Sequence, residues 1–122
     1  MKKKTVLIDL DGVLNDYNGS YNDDFIPPIR AGAKEFLANL SKNYKVKLFT
    51  CRNKILATKW LIDNGLDEYI TDITDKKELC WLYVDDRCIK FNGNFEELAG
   101  SITNFTPWYK DNASYNSKKI YA

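Results

Sequence analysis

The chain contains no histidine. That excludes Ser-His-Asp and Cys-His nucleophilic catalysis, a histidine general base and histidine-ligated zinc. Cysteine is scarce and odd in number. Cys51, Cys80 and Cys88 lack the paired spacing of a metal site, and they fit a reduced, cytoplasmic setting better than a disulfide framework. Long apolar runs are missing too. Thr5 to Ile8 is interrupted at once by Asp9, so nothing approaches a membrane span, and no signal-peptide core follows Lys2, Lys3 and Lys4. Neither sign of charge dominates. Eighteen basic residues against 17 acidic ones leave a net charge of +1, so bulk electrostatics give little support to a nucleic-acid partner.

What is present suits one globular domain spanning residues 1–122. Apolar residues make up 44% of the chain, enough for a core. Thr5–Leu10 is apolar and β-branched, as an interior strand of a parallel sheet is. Residues 15–29 are polar, aromatic and interrupted by Pro27-Pro28, so they read as a flap. A helix is expected from Ala31, with Phe36, Leu37 and Leu40 on its apolar face. Lys45–Thr50 is the second strand. Ile55, Leu56, Trp60, Leu61 and Ile62 then recur at helical spacing up to Asn64-Gly65, with the last three assigned to the core. Tyr69–Thr71, Trp81–Val84 and Ser101–Phe105 are expected as strands three to five, with a short Asn94-capped helix through Leu98. The tail, 107–122, is polar with scattered aromatics. The alternation predicts an α/β fold: a Rossmann-like three-layer sandwich with a mainly parallel five-stranded sheet covered on both faces.

The chemistry collects at strand ends. Asp9 and Asp11 fall where the first strand stops, and Gly12 lets the chain turn away. Asp85-Asp86 ends another apolar strand. If the two strands are neighbours, four carboxylates converge, and a bound cation is the usual remedy for their repulsion. Oxygen-only ligands favour Mg²⁺. A third strand end, Phe49-Thr50-Cys51-Arg52-Asn53, offers a hydroxyl, a guanidinium and a helix start, which suit a phosphate. Lys76 and Lys77 supply further cations. Asp23-Asp24, in the flap, reads as solvated surface.

In this order the parts resemble the haloacid dehalogenase superfamily of phosphohydrolases. Asp9-Leu10-Asp11-Gly12-Val13-Leu14 is similar to its first motif and Thr50 to its second. Lys77, with Lys76 competing, is similar to its third, and Asp85-Asp86 to its fourth. The resemblance implies Asp9 as nucleophile, Asp11 as acid and base, and Thr50 as a donor to a phosphoryl oxygen. Lys77 would neutralise charge; Arg52, from its place at the third strand end rather than from the resemblance, reads as a substrate contact. The resemblance also implies Mg²⁺ held by Asp9, Asp11 through its backbone carbonyl, Asp85 and Asp86. The connections 15–29 and 64–76 are too short for the cap domain many members carry. An open site suits a phosphate on a macromolecule, or a small ester partly enclosed by a second subunit of a homo-oligomer. Asp85-Asp86-Arg87 also looks similar to deoxynucleotidase-like members, which keeps nucleotides among the substrates. The alternatives are a phosphatase of nucleic-acid ends and a non-catalytic Mg²⁺-binding module.

Overall fold

The structure is a computed structural model that describes residues 2–110. The expected tail lies outside the described residues beyond Lys110. The chain divides after Asp85 into two compact units. The larger holds β1 (Lys4–Asp9), α1 (Ala33–Asn43), β2 (Tyr44–Phe49), α2 (Lys54–Asp63), a single 3₁₀ turn (Asp67–Tyr69), β3 (Asp72–Thr74) and β4 (Leu82–Val84). The smaller holds α3 (Phe95–Asn104).

Among the described residues the sheet has four strands, all parallel, in the order β3-β2-β1-β4. The α/β class stands, with a Rossmann-like arrangement, but the expected fifth strand does not. Ser101 to Asn104 are the last turn of α3, and Phe105 caps it. Helix-starting chemistry overrides the β-branched Ile102-Thr103. Asn94 Oδ1 accepts the Glu97 backbone N–H at 3.1 Å, and Glu96 and Glu97 sit in the first turn, where the helix dipole favours acids. The third strand is also shifted along the chain, because residues 67–69 coil into the 3₁₀ turn and pairing begins only at Asp72.

Strand periodicity divides the sheet into two faces. Ile8, Val46 and Leu48 join Ala33 and Leu37 of α1 and Ala57, Trp60 and Leu61 of α2 in one buried core. Both helices therefore cover the same face. The opposite face carries Leu7, fully buried, the Lys47–Glu78 ion pair, and an edge-on contact of Phe49 with Tyr83. Two apolar positions depart from expectation: Phe36 from the face shared with Leu37 and Leu40, and Ile62 from the core. Phe36 and Ile62 are 46% and 56% exposed, because a turn of about 100° per residue carries them off the faces set by Leu37 and by Ala57, Trp60 and Leu61. Helix α2 stops where expected. Leu66 N bonds Leu61 O at 2.8 Å and Gly65 N bonds Ile62 O at 3.0 Å. Gly65 takes φ +68°, the left-handed turn such a stop requires.

Candidate active site

Strand order explains why the acids meet. The chain runs outward from β1 to β2 to β3, then returns to place β4 on the other side of β1. The order reverses between β1 and β4, and in open α/β sheets such a switch point opens a crevice at the carboxyl ends of the strands. Ile8 is in register with Val84, so Asp9 and Asp85 are the next residues of two adjacent strands. One carboxylate oxygen each from Asp9, Asp85 and the following residue, Asp86, lie within 4.8 Å of one another. Asp9 is half-buried, Asp85 exposed and Asp86 half-buried. Asp9 Oδ1 also accepts the Leu10 backbone N–H at 2.9 Å. Three carboxylates and no nitrogen or sulfur ligand form a donor set that fits a hard divalent cation such as Mg²⁺.

Asp11 stands apart from this cluster. Gly12, at φ +84°, turns the chain, and Asp11 is clasped by Arg52. Nε donates to Oδ2 at 2.7 Å and Nη2 to Oδ1 at 3.0 Å. This is a side-on bidentate pair, the geometry in which guanidinium and carboxylate match best. The Arg52 side chain is 2% exposed. Burial opposes its charge, but the hydrogen bonds and the charge of Asp11 outweigh burial and raise its pKa above the ordinary arginine value. Arg52 Nη1 also donates to the Asn22 carbonyl at 2.8 Å, and its Cζ lies over the Tyr21 ring, 4.5 Å from the ring centre. The Tyr21 phenol is pushed up, first by partial burial and then by its hydrogen bond to Asp23.

Thr50 follows β2 by one residue, is buried, and accepts the Arg52 backbone N–H at 3.2 Å. It lines a cavity of about 510 Å³ with Arg52, Asn53, Lys54, Thr74 and Lys76. Lys76, rather than Lys77, shares this cavity with Thr50. The Lys77 ammonium lies 6.0 Å from the centre of the Tyr83 ring. Asp23 and Asp24 are exposed, as expected.

Asn15 escaped the sequence reading. It is fully buried. Its Oδ1 accepts the Gly12 and Tyr17 backbone N–H groups at 3.2 and 3.1 Å, and its Nδ2 donates to Asp11 Oδ1 at 3.0 Å. An asparagine four residues after Asp11, past an Asp-Gly turn, is the signal that was available, since asparagine side chains habitually close such turns. Within the smaller unit, Tyr109 is buried and its hydroxyl is shared with Arg87, at 3.4 and 3.5 Å, and with Asp86. Burial is the main cause that raises its pKa.

No family model matches the chain, and no curated protein matches it. Its fold is similar to that of a solved conserved protein from Bacteroides thetaiotaomicron. That likeness has a TM-score of 0.58 at 17% identity, over 88% of this chain and 95% of the other. At that identity the likeness speaks to fold alone.

Proposed function

We propose that the protein is a Mg²⁺-dependent phosphomonoester hydrolase of the haloacid dehalogenase type, working through an aspartyl-phosphate. The observation that carries this reading is the gathering of Asp9, Asp85 and Asp86 oxygens within 4.8 Å at the switch point of a parallel sheet. The reading brings with it the full three-layer Rossmann-like organisation. Asp9, Asp85, Asp86 and the Asp11 backbone carbonyl would hold the metal. When bound, Mg²⁺ supplies charge neutralisation and polarises the phosphoryl oxygens.

The chain's own groups do the rest. An Asp9 carboxylate oxygen attacks phosphorus, and the ester P–O bond breaks. Asp11, in a protonated form that gives up one arm of the Arg52 fork, donates its proton to the departing oxygen. Asp11 then takes a proton from water, whose oxygen attacks phosphorus. The P–O bond to Asp9 breaks, and inorganic phosphate leaves. Thr50 donates to a phosphoryl oxygen, and a lysine, Lys76 or Lys77, offsets the negative charge of the transition state. The histidine-free composition agrees with this route, because no step needs an imidazole. The substrate is a small phosphate ester, nucleotides included, or a phosphorylated macromolecule. Tyr21 and Phe25 are 52% and 59% exposed on the flap, so each leaves aromatic surface on which such a substrate can stack.

The test is a panel of phosphate esters assayed with Mg²⁺ and with chelator. Metal-dependent phosphate release by the wild type, abolished in a folded Asp9→Asn protein, is the expected result. An amide cannot form the acyl phosphate. Undiminished turnover by pure Asp9→Asn protein would falsify the assignment.

A further inference from the structure

Arg52 has more long-range partners than a substrate contact needs. Its guanidinium spends three of five N–H donors on two segments distant in sequence: two on Asp11 and one on the Asn22 carbonyl. Its Cζ lies over the Tyr21 ring, 4.5 Å from the ring centre. The flap is fastened at its base by the Asn15–Ile29 bridge, by Asp16 N to Pro28 O at 2.9 Å, and by Trp60 Nε1 to Pro27 O at 3.1 Å. Further out, Ser20 N to Asn18 Oδ1 and Asp24 N to Asn22 Oδ1 close turns within the tip itself. Arg52 crosses from the body to that tip.

We propose that Arg52 is a positioning residue that latches the flap tip to the Asp11 carboxylate, so that the charge of Asp11 holds Tyr21 and Asn22 in place through the guanidinium. Only arginine has this chemistry. Lysine is a point charge, without the side-on fork for the carboxylate or the flat face for the ring. A carboxylate facing Nε and Nη2 fixes the guanidinium plane, and the fixed plane sets where the ring and the carbonyl can dock. The inference rests on the phosphohydrolase reading only in taking Asp11 as the acid and base.

The experiment is native-state digestion of the full chain by chymotrypsin, scoring cleavage after Tyr21 and Phe25 by mass spectrometry, with a circular-dichroism melt of each variant. Arg52→Lys and Asp11→Asn are each expected to speed flap cleavage about tenfold or more, as the loss of a charge-assisted pair implies. The double variant should be no faster than the faster single one, because both break one latch. Tyr21→Phe, which keeps the ring, should behave as wild type. If Arg52→Lys does not fold, Tyr21→Ala takes its place and should speed cleavage after Phe25. With an aryl phosphate and Mg²⁺, Arg52→Lys should lower kcat, and KM rises as well where the ester stacks on the released Tyr21 ring. The proposal is overturned if Asp11→Asn leaves flap cleavage unchanged, if the two substitutions add, if Tyr21→Ala has no effect, or if Arg52→Lys raises KM alone. Coupled cleavage in a protein inactive on every ester would uphold the latch and remove the phosphohydrolase reading.

Discussion

Asn15→Ala should be among the most damaging single changes available outside the apolar core. The side chain is wholly buried and makes three hydrogen bonds. Two of these satisfy backbone N–H groups, at about 1 kcal/mol each, and the third reaches a carboxylate, at about 1.5–3 kcal/mol. Simple addition gives about 3.5–5 kcal/mol. Truncation leaves room for water at the half-buried Tyr17 amide, so about 3 kcal/mol is the better figure. That is a large share of the roughly 5–15 kcal/mol that stabilises a domain. With a urea slope of about 2 kcal/mol/M, the midpoint should fall by about 1.5 M. Fluorescence of Trp60, Trp81 and Trp108 supplies the probe. Asn15→Asp is the companion. It keeps both acceptor bonds but turns the donor to Asp11 into a like charge, so it too should be destabilising. A midpoint for Asn15→Ala within about 0.25 M of wild type, equivalent to about 0.5 kcal/mol, would show that the buried network does not stabilise the turn after β1.

Millimolar Mg²⁺ should raise the melting temperature, because folding gathers the Asp9, Asp85 and Asp86 carboxylates and unfolding disperses them. At a hundred times Kd the gain is about 2.7 kcal/mol, and Asp86→Ala should lose most of it; a melt indifferent to Mg²⁺ refutes the metal site. The Lys47 ammonium, 2.9 Å from Glu78, has its pKa raised above 10.5, chiefly by that hydrogen bond. A raised pKa means that the folded state holds the proton more tightly, so the contribution is complete below about pH 10.4 and is lost as pH climbs through the folded-state value. The urea-midpoint difference between wild type and Lys47→Met should shrink across that range, and a constant difference would contradict it. Gly65→Ala should cost about 1 kcal/mol or more, because φ is +68° and an added Cβ would meet Lys34 Nζ at 3.0 Å. An unchanged melt would mean that the α2 stop tolerates a side chain.

What could be read without the structure was what is local. Residues Thr5–Leu10 alternate across the two faces of a sheet, and Asp-Gly marks where the strand ends, so β1 and its acids were placed within a residue. Asn64-Gly65 marked the α2 stop for the same reason. Local reading failed where one local signal outweighed another and where the partners lie far apart in sequence. Ile102-Thr103 has strand propensity, but Asn94, eight residues earlier than Ile102, had already started a helix. Ile62 is as apolar as Leu61 yet faces away from the core. The Arg52–Asp11 pair spans 41 residues, and no spacing rule connects them.

The carboxylate cluster shows how the two kinds of information combine. The sequence places acids at the ends of two apolar runs, but nothing local says that the chain crosses back past β2 and β3 to lay β4 beside β1. Once that pairing exists, parallel register leaves little freedom. Val6 opposite Leu82 and Ile8 opposite Val84 carry Asp9 and Asp85 to the same edge. A slip of one residue would turn every side chain of β4 to the other face. It would expose Val84, which packs against the core, and move Asp85 away from Asp9. The apolar packing of Ile8 and Val84 therefore fixes the spacing of the acids. Conservative changes in that packing, such as Val84→Ala, should disturb metal binding at Asp9 and Asp85 by loosening β4, even though neither carboxylate is altered.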